Sequence, residues 1–140
     1  MVEFCDTDMA GIMHFAAFFR YMESAEHALI RSVGMSVFGM EEPDEEPGVT
    51  ISFPRVGAKC DFRRPARCED ELDIEVRINR IGNSSVTYAF RFLLEEEEIA
   101  AGEMTSVCCK LRDGQPPEPT PLPEWVVAKL RPFLVTEQQG

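Results

Sequence analysis

Apolar residues between positions 15 and 33 recur at spacings of three and four, which is the periodicity of an amphipathic helix. The residues on this stripe are Phe15, Phe18, Phe19, Met22, Ala25, Ala28, Leu29 and Val33. Gly34 follows the stripe and is suited to end a helix, because glycine readily adopts the left-handed conformation found there. We predict one helix of about twenty residues, roughly 30 Å long, which is enough to form the core of a small domain.

After residue 48 the pattern changes to the alternation of apolar and polar positions that is typical of half-buried strands. Strands are predicted around 49–53, 58–64, 72–80, 85–94 and 99–111, and residues 1–4 should be the end of a first strand. Gly82-Asn83 predicts a hairpin turn, and the acidic run 95–98 predicts a second tight turn. One long helix followed by an antiparallel meander predicts an α+β fold, with the helix across one face of the sheet.

The length of 140 residues fits a single domain. Residues 35–47 form a loop rich in acid and proline, and residues 113–123 contain five prolines. The pattern of residues 124–133 predicts a short helix that docks on the body. We predict one domain over 1–140, with its core in 1–112 and a Pro-rich strap plus short C-terminal helix in 113–140.

The net charge of −11 argues against a nucleic acid partner, because phosphate binding needs a basic surface. No apolar run approaches the roughly eighteen residues that a membrane span requires, so a soluble, cytoplasmic protein is expected. The five cysteines are odd in number and form no CxxC, and there are only two histidines. These counts favour reduced structural thiols over a disulfide framework or a zinc site.

The candidate chemistry lies in the polar turn that precedes the helix. Asp6 and Asp8 are one residue apart, and Gly11 allows the backbone to turn sharply. Residues 9–15 contain no Ser, Thr, Asp or Asn to cap the helix, so N–H groups near Phe15 should be available to a ligand oxygen. A carboxylate beside an oxyanion-binding helix end is suited to acyl transfer. The residues alone slightly favour the simpler interpretation, in which Asp8 only shapes the turn.

The run F-x-D-T-D-x-A-G-I-x-H-F, followed by F-F-R-Y-M-E-x-A, resembles the hot-dog-fold acyl-CoA thioesterases of the 4-hydroxybenzoyl-CoA thioesterase type. Later segments at 54–56, 61–67 and 70–72 agree, so the resemblance covers roughly residues 2–112. It implies a hot-dog fold, in which an antiparallel sheet wraps around one long central helix. It also implies that Asp8 is the catalytic carboxylate, that the Phe15 N–H meets the oxyanion, and that the enzyme is a homodimer or homotetramer.

Four other features leave alternatives open. His14 is equally compatible with packing the helix start and with polarising substrate or water. Glu23 is the rival working carboxylate, although an ion pair with His27 explains it better. Cys5 could be a nucleophile, but we expect it to be an ordinary residue of the first strand. The cluster Lys59, Arg63, Arg64 and Arg67 could bind the nucleotide phosphates of CoA or protect a strand edge from pairing.

The strand alternation places Lys59, Arg63 and Arg67 on one face and Arg64 on the other, provided that the strand continues past Pro65. We predict hydrolysis of an acyl-CoA thioester, with Asp8 acting as nucleophile or as general base. CoA is then part of the substrate, and no metal or other cofactor is expected. The alternatives are a non-catalytic acyl-CoA-binding domain and a hot-dog enoyl thioester hydratase. The sequence does not indicate the acyl group.

Overall fold

The computed structural model describes residues 1–38, 40–41 and 47–135. Much of the predicted acidic loop at 35–47, and the last five residues, lie outside the described residues. The described helices are α1 (Phe15–Ser32) and α2 (Glu124–Leu130), with 3₁₀ helices at Phe4–Asp6 and Arg131–Phe133. The strands are β1 (Met40–Glu41), β2 (Thr50–Ser52), β3 (Arg55–Phe62), β4 (Leu72–Ile81), β5 (Ser85–Leu94), β6 (Glu97–Val107), β7 (Cys109–Leu111) and β8 (Glu118–Pro119).

Helix α1 matches the predicted helix closely at both ends. It ends in a Schellman motif, in which Gly34 N–H donates to Arg31 O (3.0 Å) and Met35 N–H donates to Ile30 O (3.1 Å). Gly34 has a φ of 81°, as the prediction of a glycine stop requires. A side chain from far along the sequence completes this end, because Lys129 Nζ donates to Val33 O at 3.0 Å.

The strands form two antiparallel sheets rather than one, with the orders β3-β6-β5-β4 and β1-β2-β7-β8. The predicted strand 99–111 is therefore divided into β6 and β7. The division falls at Cys108, whose N–H donates to Ser84 O (2.7 Å) and whose carbonyl accepts from Thr120 N–H (2.9 Å). These two bonds lie outside the ladders of both sheets, so the chain passes from one sheet to the other at this residue.

The sheet β3-β6-β5-β4, which has the longer strands and is called the larger sheet below, packs against α1 through aromatic and sulfur contacts. The Phe18 ring meets the rings of Phe62 and Phe92 edge-on, each with centroids 5.0 Å apart. One turn further along, Met22 lies against β6 at Gly102, where an added Cβ would come within 2.7 Å of the Met22 Cε atom. The glycine thus allows helix and sheet to approach closely.

The predicted first strand at 1–4 is wrong. Residues 4–6 form a 3₁₀ helix, because the Asp6 carboxylate accepts the Glu3 N–H at 3.0 Å and curls the segment. Val2 alone keeps a strand-like pairing, exchanging hydrogen bonds of 2.8 Å with Glu69 N–H and Asp70 O. Cys5 consequently lies in this 3₁₀ helix, exposed, and not in a strand.

The two edges of the larger sheet differ. At the β4 edge, Leu134 bridges Ile78 in parallel, and Val135 N–H donates to Ile78 O at 2.8 Å. At the β3 edge, the described residues provide no such cover, and Val56 is 63% exposed. Helix α2 docks on the body of the domain, with Val126 and Leu130 buried in the core.

Candidate active site

The turn that carries Asp8 is a small hairpin whose base is closed by an antiparallel bridge between Thr7 and Met13. Asp8 N–H donates to Ile12 O (3.0 Å), and Gly11 N–H donates back to Asp8 O (2.9 Å). Gly11 has a φ of 78°, which an L side chain would resist at this bend. The backbone therefore fixes where the Asp8 side chain leaves the chain.

The Asp8 carboxylate is exposed, and one of its oxygens shapes the turn. Oδ1 accepts the Ala10 N–H at 2.8 Å, which is the local bond expected of a turn-forming Asp. Among the described residues, Oδ2 has no hydrogen-bond partner. The structural interpretation and the chemical one are thus compatible, because each uses a different oxygen.

Helix α1 begins directly after this hairpin, and its start is capped, contrary to the prediction. His14 is the N-cap: its Nδ1 accepts the Ala16 N–H at 3.0 Å, and its carbonyl accepts the Ala17 N–H at 2.9 Å. Histidine was overlooked because Ser, Thr, Asp and Asn are the usual capping residues. The Phe15 N–H remains without an acceptor within the part of the chain that the structure describes.

Asp8 and Phe15 line one surface pocket of about 390 Å³, together with Arg63 and Arg64. The remaining walls are apolar: Ile12, Met13, Phe18, Phe62 and Pro65. The Phe15 and Phe62 rings are 60% and 46% exposed, so they offer aromatic surface to a ligand. Asp8, the first residue of α1 and an apolar wall therefore belong to one pocket.

The predicted basic cluster is only partly brought together. Strand β3 ends at Phe62, so the alternation stops there, and Arg63 and Arg64 both line the pocket. The condition on which Arg64 was predicted to point away from Arg63, a strand that continues past Pro65, is therefore not met. Lys59 does not line this pocket and forms an ion pair with Glu103 (3.1 Å).

Three of the four basic side chains are occupied by acids. Besides the Lys59 pair, Arg63 forms an ion pair with Glu98. Arg64 forms a bidentate ion pair with Glu97, in which each of the two N–O distances is 3.0 Å. Within the described residues, the Arg67 side chain has no ion pair or hydrogen bond, while its N–H donates to Asp70 Oδ2 at 2.7 Å. Arg67 is exposed next to Ala66, whose carbonyl accepts the Met13 N–H at the base of the Asp8 hairpin.

Glu23, the rival carboxylate, does not line this pocket. Its Oε2 lies 3.3 Å from Arg55 NH1, so the expected pair with His27 is wrong. Arg55 instead connects Glu23 with Glu26, whose Oε1 accepts from Arg55 NH2 at 2.7 Å. Burial lowers the pKa of His27, so this ring is uncharged at neutral pH and its 3.7 Å contact with Glu26 is not an ion pair.

The buried acid Glu26 was missed, although the sequence contained a signal for it. Glu26 lies four residues after Met22 and three before Leu29, so it falls on the buried stripe of α1. The predicted apolar stripe contained Ala25 and Ala28 in place of Glu26, and Ala28 is exposed. An acid at the period of a buried stripe predicts a buried partner, which here is Arg55.

Comparison with known proteins identifies the family of this chain. Residues 2–130 match the Thioesterase-like superfamily, and the chain belongs to that superfamily. A 1,4-dihydroxy-2-naphthoyl-CoA hydrolase of Prochlorococcus marinus (strain MIT 9313) is 30% identical over 124 residues, covering 81% of this chain and 82% of that protein. The predicted relationship to hot-dog thioesterases, and thioester hydrolysis as the general activity, are confirmed.

Two solved structures are similar to the whole chain. A gentisyl-coenzyme A thioesterase has a TM-score of 0.74 and 26% identity, covering 93% of this chain and 94% of that one. The PA5185 protein of Pseudomonas aeruginosa has a TM-score of 0.80 and 21% identity, covering 98% and 90%, and shows the fold alone. The predicted antiparallel α+β fold is confirmed.

No helix in the described ranges is long and apolar enough to cross a membrane.

Proposed function

We propose that this chain hydrolyses an acyl-CoA thioester to a free acid and CoA, with the Asp8 carboxylate as the reacting group. The observation that carries this proposal is the shared pocket of Asp8 and Phe15, whose other walls are mostly apolar. Two relatives are named as a 1,4-dihydroxy-2-naphthoyl-CoA hydrolase and a gentisyl-coenzyme A thioesterase, which supports CoA thioesters as the substrate class.

Asp8 can act by two routes. As a nucleophile, its oxygen bonds to the thioester carbon, the C–S bond breaks, and CoA leaves as a thiolate; water then hydrolyses the mixed anhydride. As a general base, Asp8 takes a proton from water as the water oxygen bonds to the thioester carbon; the C–S bond then breaks, and Asp8 returns the proton to the departing thiolate of CoA. In either route the reacting oxygen is Oδ2, because Oδ1 is held by Ala10 N–H.

The Phe15 N–H supplies the oxyanion contact in both routes. At the start of α1 this N–H has no acceptor among the described residues, and the partial positive charge of the helix N-terminus lies behind it. One donor of this kind typically contributes about 3 kcal/mol to transition-state stabilisation. His14 caps the same turn through the Ala16 N–H, and its ring stacks on the Phe15 ring with centroids 4.5 Å apart.

The decisive experiment compares Asp8→Asn with Glu23→Gln in a thiol-release assay over a panel of acyl-CoAs. Asp8→Asn keeps the shape and the turn but removes the charge, so kcat should fall by about a hundredfold or more. Glu23→Gln should leave kcat near the wild-type value. Full turnover by Asp8→Asn together with an inactive Glu23→Gln would transfer the role to the helix acid.

For the nucleotide of CoA we propose the surface formed by Arg63, Arg64 and Arg67, with Lys59 at its far end. Arg67 should contribute most, because it does not have to leave an acid partner before it meets a phosphate. Arg67→Glu should raise KM for acyl-CoA several-fold and spare a short thioester that lacks the nucleotide. Arg80→Glu, a charge reversal on the opposite edge strand β4, is the matched control. Equal losses on both substrates would assign Arg67 to the fold.

We also propose a homodimer in which two β3 edges pair, or a homotetramer made of two such dimers, because an exposed edge strand is a template for pairing. In this arrangement residues 1–140 are one cytoplasmic hot-dog domain with α1 as its central helix. Light scattering should detect the dimer at micromolar concentration, and Val56→Lys should weaken it. A stable and fully active wild-type monomer would exclude the proposal.

A further inference from the structure

Asp6, two residues before Asp8, is a buried junction of three parts of the chain. Its carboxylate accepts the Glu3 N–H at 3.0 Å, the Tyr21 hydroxyl, and Arg20 NH2 at 2.5 Å. Its own carbonyl accepts the His14 N–H at 2.7 Å. Only 2% of Asp6 is exposed, and it does not line the pocket. Asp6 therefore connects the N-terminal segment, the second turn of α1 and the start of α1.

This junction lies at the base of the Asp8 hairpin. Thr7, the only residue between the two acids, forms the bridge to Met13, and the His14 N–H that follows Met13 returns to Asp6. The tip of the hairpin, residues 8–11, is exposed and gains little support from packing. Besides the backbone bonds of Met13 and His14, the side-chain bonds from Tyr21 and Arg20 to Asp6 hold the hairpin in its orientation relative to α1.

We infer that Tyr21 and Arg20 are positioning residues, which act through Asp6 to hold the Asp8 carboxylate at a fixed place relative to the Phe15 N–H. The inference rests on the proposed roles of Asp8 and Phe15. A reacting group must be held within a fraction of an ångström, and a misplacement of about 1 Å can cost a hundredfold in rate. Tyr21 is half-buried and stiff, whereas the Arg20 side chain is 64% exposed, so Tyr21 contributes more.

The protonation states suit this role. Burial alone would raise the pKa of Asp6, but hydrogen bonds from Tyr21, Arg20 and the Glu3 N–H outweigh it and lower the pKa. Burial, together with the bond to Asp6, raises the pKa of Tyr21 to about 12. At neutral pH an ionised acceptor therefore faces a protonated hydroxyl and a guanidinium, which gives short, charge-assisted bonds.

The test removes one hydroxyl. Tyr21→Phe should lower kcat about tenfold and leave KM within about twofold, because the substrate surfaces stay in place while the carboxylate shifts. The matched control is Tyr88→Phe, which removes a hydroxyl from a tyrosine on β5 that lies outside the pocket and should retain kcat. Arg20, the other side-chain donor to Asp6, offers a second test: Arg20→Met should lower kcat, and Arg20→Lys should retain most of the wild-type kcat.

A double-mutant cycle shows whether Tyr21 acts through Asp8. In an Asp8→Asn background, Tyr21→Phe should produce no further loss of kcat, because no reactive carboxylate remains to be misplaced. A wild-type-like kcat in Tyr21→Phe would overturn the inference. So would a tenfold loss that persists unchanged in the Asp8→Asn background.

A second readout does not depend on catalysis. The Ala10 and His14 amide protons report the Asp8 turn and the Asp6 junction, because they donate to Asp8 Oδ1 and Asp6 O. In Tyr21→Phe their NMR shifts should change and their hydrogen exchange should accelerate, with no such change in Tyr88→Phe. If the wild type hydrolyses no acyl-CoA, the proposed function fails, and unchanged amides would then overturn the positioning role separately.

Discussion

Asp6 and Glu26 are both buried acids at α1, and Glu26 lies on the helix itself, yet their pKa values shift in opposite directions. Asp6 is 2% exposed, and its two oxygens accept three hydrogen bonds from nitrogen and oxygen donors and a long one from the Cys5 thiol. Glu26 is 4% exposed; its Oε1 accepts one bond from Arg55, and among the described residues Oε2 has no partner. The pKa of Asp6 is lowered, whereas burial raises the pKa of Glu26 despite the nearby Arg55 charge.

The difference shows that the number of donors, rather than depth, decides whether a buried carboxylate stays charged without a penalty. Asp6 receives two charge-assisted or short bonds and one backbone N–H, which replace its lost hydration. Glu26 receives one guanidinium, and the Arg55 Nε is itself buried with no partner in the described part of the chain. Asp6 therefore stabilises the fold as an anion, whereas ionised Glu26 is a cost that Arg55 only partly offsets.

The largest expected effect comes from removing Arg55 alone. Arg55→Met should lower the free energy of unfolding by about 3 kcal/mol, because it leaves an unpaired buried carboxylate. The value lies at the lower end for buried pairs, since the Arg55 side chain is 25% exposed. Combining it with Glu26→Leu should recover most of the loss, as measured by urea denaturation. If the double variant is as unstable as Arg55→Met, packing rather than charge explains the loss.

A smaller effect is expected at the other acid. Asp6→Asn should cost roughly 2 kcal/mol, because the amide keeps the shape but weakens the bonds from Arg20 and Tyr21. Asp70→Asn offers a control, since Asp70 also accepts a backbone N–H, at 2.7 Å, but is less buried. Equal costs for the two variants in urea denaturation would mean that the side-chain donors add nothing to Asp6.

The smallest expected effect is the dependence of folding stability on pH. It distinguishes the two acids most clearly, because their contributions change with pH in opposite directions. Asp6 has a folded-state pKa below its ordinary value of 3.8, so its stabilisation is present above 3.8 and is lost as the pH falls through the lowered pKa. Glu26 has a folded-state pKa above 4.5, so its contribution is full below 4.5 and is lost as the pH rises through the raised pKa.

Unfolding free energies measured across these two windows test the signs. Relative to wild type, Glu26→Gln should gain stability as the pH rises from about 4.5, because it has no carboxylate to ionise. The deficit of Asp6→Asn should shrink as the pH falls below about 3.8. If the unfolding free energies of wild type and Glu26→Gln change with pH in parallel, the Glu26 carboxylate is in contact with water and its pKa is not raised.

Features set by local sequence were predicted well. The period of α1, its glycine stop and the alternation in β4 and β5 depend on residues within one or two turns or one strand. The Asp8 turn was also found, because Asp and Gly at these spacings form turns in many contexts. The cap at His14 was not predicted because histidine is an unusual capping residue, and not because its partner is distant in the sequence.

Features set by distant partners were not predicted. The spacing of Asp6 and Asp8 does not reveal which is buried, since that depends on Arg20 and Tyr21, fourteen and fifteen residues further on. The Arg55 partner of Glu26 is twenty-nine residues away, and the acids that occupy Arg63 and Arg64 lie on β6. Alternation along β3 could not locate these arginines, because the strand ends at Phe62.

The hydrogen bond between Lys129 Nζ and Val33 O has a consequence for synthesis of the chain, because the two residues are 96 positions apart. At about 5–20 residues per second, roughly 5–20 s pass between translation of Val33 and translation of Lys129. The β4, β5 and β6 strands that cover the apolar side of α1 are translated during the same interval. A ribosome-bound chain therefore carries an uncovered helix for several seconds, and this interval is when self-association or chaperone capture is most favoured.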